Sequence, residues 1–284
     1  MPLTVDAHHH FWDPARADYP WMTDDLAVIR RRFGPDDLAP LAERARIDRT
    51  IVIQTRSSLE ETREFLATAA EHELVAGVVG WVDLTDPAVG EEIGGLLNDT
   101  GGSHLVGIRH QVHDEPDPAW LLRPDVGRGI AAVGAAGLVY DLLVRPRELP
   151  SALQTARAHP DVAFVIDHLG KPPIRSGEIE PWLSLMRPFG ELGNVACKVS
   201  GLVTEADWRS WRVADLQPFV DGALEVFGPG RLMFGSDWPV CLLAATYEEV
   251  VGAARSATAR LSQDERGRLF GETARRVYGL DRTG

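Results

Sequence analysis

Four side chains able to do chemistry stand where apolar runs of this sequence end. His8 and His10 follow "LTVDA", His168 ends "VAFVIDH", and Asp237 follows "RLMFGS". Imidazole nitrogens and carboxylate oxygens bind divalent metals such as Zn²⁺, and a carboxylate can also accept a proton from water. If the fold brings these run ends together, the four side chains predict a metal site or a hydrolytic acid–base centre.

Eight β-branched apolar runs alternate with amphipathic stretches along the whole chain. The runs cover residues 3–8, 50–54, 75–82, 105–110, 138–144, 162–168, 194–199 and 231–236. Most of the intervening stretches suit a crossover helix, which predicts parallel strands with right-handed connections. Eight such units predict one α/β domain over residues 1–284, a (β/α)₈ TIM barrel. The alternative is an open doubly wound sheet, but the first strand leads into "HHHFWDP" and not into a glycine-rich dinucleotide loop.

In a barrel of this kind, reactive side chains lie at the carboxyl ends of the strands. Because side chains alternate along a strand, we predict that His8 and His10 face the barrel centre together with Thr4 and Asp6. His9 is then expected to face the helices. Asp6 is the carboxylate expected to orient one of the imidazoles. A solvated cluster of loop histidines is the alternative.

Polar and aromatic side chains crowd the same predicted rim. Such a set supplies the hydrogen-bonding groups and flat apolar faces that a hydroxyl-rich ligand needs. The predicted substrate-binding residues are Trp12, Trp21, Gln54, Arg56, Trp81, Arg109, His110 and Lys171. The tryptophans could instead belong to the core, and the arginines to surface ion pairs. The other lysine of the chain, Lys198, is expected either to contact the substrate or to pair with Asp237.

Composition excludes several classes of partner. The net charge of −13 argues against nucleic acid and anionic membranes, and no apolar run approaches the roughly 18 residues that span a bilayer. The two cysteines, Cys197 and Cys241, fit no metal-binding spacing and give no sign of an oxidising compartment. No secretory signal is recognisable at the start. We therefore predict a cytoplasmic protein with a small-molecule partner, and a homo-oligomer stays open.

Four segments, "VDAHHHFWDP", "DHLGKP", "KVSGL" and "FGSDWPV", resemble the amidohydrolase superfamily in its branch of sugar-acid lactonases. The resemblance extends over essentially the whole chain. It implies a TIM barrel that hydrolyses the cyclic ester of an aldonolactone such as L-fucono-1,5-lactone. It also implies the roles of the polar residues. Asp237 would activate water, and His8, His10 and His168, or a metal that they hold, would stabilise the oxyanion.

Two positions depart from the binuclear members of that superfamily. Arg109 stands on strand 4, where those members carry a bridging ligand, and strand 5 offers Asp141 in place of their histidine. We therefore expect at most one divalent ion, with Zn²⁺ the first choice, on His8, His10 and Asp237, and activity without a metal stays open. The alternative functions are a metal-dependent decarboxylase, a dicarboxylate-lactone or muconolactone hydrolase, a dihydroorotase-like amidase and a non-catalytic barrel that binds a sugar acid.

Overall fold

Eight short parallel strands form a barrel in the computed structural model, which describes residues 3–282. Each strand is hydrogen-bonded to the next one in the sequence, so the order around the barrel is that of the chain. The strands are β1 (Val5–His9), β2 (Arg49–Ile53), β3 (Val75–Gly80), β4 (Leu105–His110), β5 (Val139–Leu142), β6 (Phe164–Ile166), β7 (Val195–Val199) and β8 (Leu232–Phe234). The predicted (β/α)₈ barrel is therefore confirmed, and the open sheet is wrong.

The barrel closes between β1 and the residues that follow β8. The amide of Asp237 donates to the carbonyl of His8 over 2.8 Å, and the amide of His10 donates to the carbonyl of Trp238 over 2.7 Å. Backbone contacts at this seam thus bring the predicted His-x-His pair beside the predicted base.

Helices surround the strands. They are α1 (Pro35–Ala45), α2 (Leu59–Glu71), α3 (Val89–Asn98), α4 (Pro124–Ala135), α5 (Leu149–Ala158), α6 (Trp182–Met186), α7 (Leu202–Glu205), α8 (Val213–Phe227), α9 (Tyr247–Ala257), α10 (Gln263–Gly267) and α11 (Thr273–Tyr278). Side-chain caps begin several of them; Ser58, for example, accepts the amide of Glu61 at the start of α2. Among the described residues, no helix combines the length and apolar character needed to cross a bilayer.

Two apolar layers stabilise the barrel. The larger one lies between the strands and the helices. The smaller one fills the barrel interior with side chains such as Val5, Val106 and Val139, and α11 adds Ala274 and Tyr278 to it. Because these strand residues lie near the amino ends of their strands, α11 closes that end of the barrel. The carboxyl end is left for polar side chains.

An extra residue in β1 changes which of its side chains face inward. Asp6 pairs with Thr50 but His9 pairs with Val52, so three steps along β1 match two steps along β2. Such a bulge interrupts the alternation of side chains. Ala7, which belongs to the interior layer, can therefore be followed by an inward-facing His8.

The bulge makes the prediction for Asp6 wrong. Its carboxylate accepts the hydroxyl of Tyr247 on α9 over 3.0 Å and the amide of Ser236 over 2.8 Å, so it lies outside the barrel centre. His9 lies on the helix side as predicted, with Nε2 2.9 Å from Thr50 Oγ1. Asp6 thus fastens the seam between β1 and β8, and it does not contact the imidazole of His8.

Candidate active site

The four predicted catalytic side chains meet at the carboxyl end of the barrel. Asp237 Oδ1 lies 3.4 Å from His10 Nε2, 3.8 Å from His8 Nε2 and 3.9 Å from His168 Nε2. None of the four residues is more than 5% exposed. The structure therefore places one carboxylate against three imidazoles in a buried site.

Two of these residues have a left-handed backbone. The φ angles of His168 and Asp237, which lie two and three residues after the ends of β6 and β8, are 54° and 57°. β6, which is expected from the sequence to reach His168, ends at Ile166, because ladder pairing does not continue through such a residue. A non-glycine residue in this region costs on the order of 1–3 kcal/mol, and such strain is concentrated at functional sites.

Gly201, after β7, lies directly against the same two side chains. A Cβ atom there would stand 2.6 Å from His168 Nδ1 and 3.2 Å from Asp237 Oδ2, and the φ angle of this glycine is 64°. His168 Nδ1 is also 2.9 Å from Ser200 Oγ. The backbone of this turn therefore holds the imidazole from one side, and any side chain at position 201 would displace it.

We expect Gly201→Ala to lower kcat/KM by at least about tenfold while the barrel still folds, because His168 must move away from Asp237. The matched control is Gly177→Ala, which has the similar φ of 72° but open space around the new methyl group. Both variants should lose about 1–2 kcal/mol of stability from the left-handed alanine. Steady-state kinetics and thermal unfolding separate the two effects. Equal activity in the two variants would contradict this role for Gly201.

The hydrogen bonds of two imidazoles determine where their lone pairs point. His10 Nδ1 is 2.8 Å from the carbonyl oxygen of Ile53, which can only accept, so Nδ1 carries the proton. His8 Nδ1 is 3.2 Å from Asp167 Oδ1 and 3.4 Å from Lys198 Nζ, and we assign its proton to Nδ1 because the carboxylate is the closer of the two. The two Nε2 lone pairs then face each other across 3.2 Å, beside the carboxylate of Asp237. Three converging acceptors require a positive charge, either a proton or a metal ion.

The donor set fits one divalent ion. Ligand atoms of His8, His168 and Asp237 all lie within 4.8 Å of one another. Ligands about 2.0–2.2 Å from a tetrahedral Zn²⁺ are about 3.3–3.6 Å apart, a few tenths of an ångström less than the 3.8 and 3.9 Å from Asp237 Oδ1 to the Nε2 atoms of His8 and His168. Burial lowers the pKa of His168 to about 3 and holds that of His8 well below its usual value, so both are neutral, as metal ligands must be. Of the predicted ligands, His8 and Asp237 belong to this group, and His10 Nε2 lies beside both.

Four buried charges lie beneath the histidines and form what we call the charged floor: Arg109, Asp141, Asp167 and Lys198. Lys198 Nζ is 2.6 Å from Asp141 Oδ2 and 3.0 Å from Asp167 Oδ1. Arg109 Nη1 is 2.9 Å from Asp167 Oδ2. Burial alone would raise the pKa of Asp167, but Lys198 and His8 outweigh it and hold this pKa well below its usual value. Two cations thus balance two carboxylates.

Asp167 is the functional residue that the sequence reasoning missed. It precedes His168 directly, so regular alternation would put the two on opposite faces of β6. The left-handed turn at His168 removes that alternation and lets both face the centre. Asp167 therefore takes the orienting role predicted for Asp6. The only signal in the sequence is the pair "DH" at the end of an apolar run.

Three other residues, Lys198, Arg109 and Gln54, lie deeper in the barrel than the rim. Lys198 pairs with the carboxylates of the charged floor and not with Asp237, and it is fully buried. Arg109 is buried and pairs with the buried Asp167, not with a surface carboxylate. Its Nη2 donates to the carbonyl oxygen of Gln54 over 2.5 Å and to Gln54 Oε1 over 3.3 Å. Gln54 and Arg109 thus lie below the imidazoles and not on the open rim.

Trp81 and His110 lie side by side near the rim. Trp81 Nε1 donates to His110 Nδ1 over 3.1 Å, and His110 Nε2 donates to Glu115 over 2.8 Å. His110 also stacks on Trp120, with ring centroids 4.3 Å apart. The polar atoms of Trp81 and His110 are already paired. These rings therefore offer a ligand flat faces but no free hydrogen-bonding group.

Trp12 and Trp21, both predicted to bind the substrate, lie in the loop that follows β1, which we call the first loop. Trp12 is buried and donates to the carbonyl of Ile29 over 3.0 Å, so its indole N–H serves the loop itself. Trp21 packs against Trp12 with ring centroids 5.3 Å apart. In the described part of the chain, the buried Nε1 of Trp21 has no hydrogen-bond partner.

Both predicted cationic rim residues are paired with glutamates. Arg56 Nε lies 3.3 Å from Glu61, and Lys171 Nζ lies 2.8 Å from Glu205 on α7. The Lys171 side chain remains 20% exposed. The Arg56 side chain is similarly exposed (23%), but its partner Glu61 is only 2% exposed, whereas Glu205 is 27% exposed. Lys171 therefore has the more accessible ion pair of the two.

Comparison with known proteins places the barrel in a family. The model of the amidohydrolase family matches residues 5–280, and the chain belongs to that family. An L-fucono-1,5-lactonase from Burkholderia multivorans is 42% identical over 289 residues, which cover 98% of this chain and 96% of that protein. One from Burkholderia ambifaria is 39% identical over 286 residues, or 99% and 97% of the two chains. The predicted membership of the amidohydrolase superfamily is confirmed.

A related crystal structure contains a metal. It is an amidohydrolase from Burkholderia multivorans with bound zinc, 41% identical to this chain, with a TM-score of 0.92 and a coverage of 98% of this chain and 99% of that one. The zinc belongs to that protein. In the present chain, the grouping of His8, His168 and Asp237 could hold one such ion.

Proposed function

We propose that this protein hydrolyses a sugar-acid lactone to the free acid, with L-fucono-1,5-lactone as the first substrate to test. The observation that carries the proposal is the carboxylate of Asp237 placed against three buried imidazoles. Full-length relatives at 42% and 39% identity are lactonases of this kind, which supports the same chemistry here. The decarboxylase, amidase and non-catalytic alternatives are not favoured by these relatives.

Asp237 acts as the general base. Burial would raise the pKa of its carboxyl group, but His168 and His10 outweigh burial and keep this pKa below its usual value. The carboxylate is therefore ionised at neutral pH and can take a proton from a water molecule that attacks the lactone carbonyl. The same carboxyl group can then return the proton to the departing ring oxygen, which becomes a hydroxyl group.

The oxyanion that forms when water attacks the lactone carbonyl needs a positive charge beside it. The acceptors that converge in the site, the two Nε2 atoms and the carboxylate of Asp237, need the same charge. A divalent metal, when bound by His8, His168 and Asp237 with His10 beside them, supplies a Lewis acid that polarises the carbonyl. Without a metal, a proton at His10 Nε2, which faces the neutral His8, supplies a hydrogen-bond donor at the same place. Arg109 Nη1, 3.4 Å from His8 Nε2, adds positive charge below.

The rim residues bind the sugar. The free N–H of Trp21 and the ammonium of Lys171 are suited to hydroxyl and carbonyl oxygens, and the rings of Trp81 and His110 offer apolar faces. Trp12 and Arg56 shape the first loop around these groups. Gln54 and Arg109 act from below, through the imidazoles.

A panel of aldono-1,4- and 1,5-lactones, followed with a pH indicator, tests the proposal. We expect acid release above the spontaneous rate for at least one 1,5-lactone. Chelator-treated protein distinguishes the two sources of positive charge. A rate that falls and returns with Zn²⁺ assigns the oxyanion to the metal, and an unchanged rate assigns it to the imidazoles. The absence of catalysis with every lactone would overturn the proposal.

We also expect Zn²⁺ to raise the Tm of metal-free protein. A ligand that binds only the folded state adds about 2.7 kcal/mol of stability at one hundred times its Kd. Asp237→Asn should lose most of this shift, because it removes the charged ligand. The control, Asp83→Asn, changes an exposed carboxylate on the loop after β3 and should keep the full shift. Equal shifts in the two variants would argue against this metal site.

A further inference from the structure

The last long side chain of α11 reaches the charged floor from below. Tyr278 is buried in the interior layer of the barrel, and its hydroxyl lies 2.8 Å from each carboxylate oxygen of Asp141. Its ring centroid is 5.4 Å from Lys198 Nζ, within the range of a cation–π contact. One side chain of the C-terminal helix thus contacts both ends of a buried ion pair.

A continuous series of polar contacts leads from this tyrosine to a catalytic imidazole. Asp141 Oδ2 is 2.6 Å from Lys198 Nζ, which is 3.0 Å from Asp167 Oδ1. The same oxygen of Asp167 is 3.2 Å from His8 Nδ1. Asp141, Lys198, Asp167 and His8 are all fully buried. Water therefore has little access to replace a contact that is lost, and each group depends on its protein neighbours.

We propose that Tyr278 is a positioning residue for the active site: its hydroxyl holds Asp141, and through Lys198 and Asp167 it determines where the imidazole of His8 stands. Without the hydroxyl, Asp141 keeps Lys198 as its principal donor and draws the ammonium toward itself. Asp167 is then less firmly held and presents its oxygen to His8 Nδ1 in a different place. The kinetic consequence rests on the proposed lactonase function, whereas the structural consequence does not.

Tyr278→Phe isolates the hydroxyl, because the ring over Lys198 remains. The matched control is Tyr140→Phe, at the residue that precedes Asp141 on β5. Tyr140 is also fully buried, but its hydroxyl has no hydrogen-bond partner among the described residues. We expect Tyr278→Phe to lower kcat for lactone opening by about tenfold, the lower end of the effect of partners that orient an active-site imidazole. KM should stay within about twofold, because no rim contact changes. Tyr140→Phe should match the wild type in both constants.

A spectroscopic measurement tests the same link without turnover. Metal-free protein labelled with ¹⁵N-histidine reports the ring nitrogens, and His8→Gln identifies the signals of His8. Tyr278→Phe should shift the His8 nitrogen signals and Tyr140→Phe should not. Tyr278→Leu, which also removes the ring, should shift them further. Thermal unfolding of each variant checks that the signals come from folded protein.

Unchanged His8 signals in folded Tyr278→Phe, or a kcat equal to that of the wild type, would overturn the proposal. A lower Tm alone, without either change, would also overturn it, because it would mean a purely structural tyrosine. Shifted His8 signals in a protein that opens no lactone would support the positioning role and reject the lactonase function. The two proposals can therefore fail independently.

Discussion

Replacing Asp237 with asparagine is expected to lower kcat for lactone opening by about 10²–10⁴-fold, the usual contribution of a general base. The amide cannot take a proton from water, yet it has nearly the same shape as the carboxylate. Asparagine also tolerates the left-handed backbone at this position, where φ is 57°. The variant should therefore fold normally. The fall in kcat should then come from the missing base and not from backbone strain at position 237.

Asp83→Asn is the control for this variant. It makes the same chemical change on an exposed carboxylate after β3, and it should retain nearly the full rate. Circular dichroism and thermal unfolding show whether both variants are folded. If Asp237→Asn retained a kcat close to that of the wild type, Asp237 would not be the base.

The second large effect is expected for Asp167→Asn. Both carboxylate oxygens of Asp167 face donors only: Oδ1 faces His8 and Lys198, and Oδ2 faces Arg109. An amide must turn its NH₂ group toward one of these sides, and it leaves the two buried cations with one carboxylate fewer. We expect kcat to fall by about 10–100-fold, as for other partners that orient an active-site imidazole.

The same variant should lose stability, because breaking a buried ion pair from one side costs about 3–5 kcal/mol. Denaturant unfolding measures this loss, and kinetics at a temperature where the variant is folded measures kcat. Asp167→Asn combined with Lys198→Met removes one charge of each sign. The double variant should regain stability but not activity. Wild-type kcat in the single variant would show that Asp167 does not orient His8.

Much of the barrel could be predicted because its pattern is local. Eight apolar runs at crossover spacing indicate eight parallel strands, and β4 has the bounds that the sequence predicts. Residues that end strands necessarily meet at one end of a barrel. This geometric rule is sufficient to predict that His8, His10, His168 and Asp237 lie together.

The failures come from places where the backbone leaves the regular strand. The bulge in β1 turns Asp6 outward, and the left-handed backbone at His168 lets this residue face inward beside Asp167. The alternation of apolar and polar residues in the sequence indicates neither the bulge nor the left-handed residue, because both depend on how neighbouring strands pair. The partners of Lys198 and Arg109 depend in turn on Asp167, so the charged floor could not be assembled from the sequence.

Hydrolysis of L-fucono-1,5-lactone in H₂¹⁸O by the wild type and by Asp237→Asn is the most direct test of the proposed chemistry. We predict a wild-type rate well above spontaneous opening, with one ¹⁸O atom in the carboxylate of the product, because water attacks the carbonyl carbon. Asp237→Asn should be about 10²–10⁴-fold slower than the wild type. A wild-type rate equal to the spontaneous rate, or label in the released hydroxyl group, would contradict a lactonase centred on Asp237.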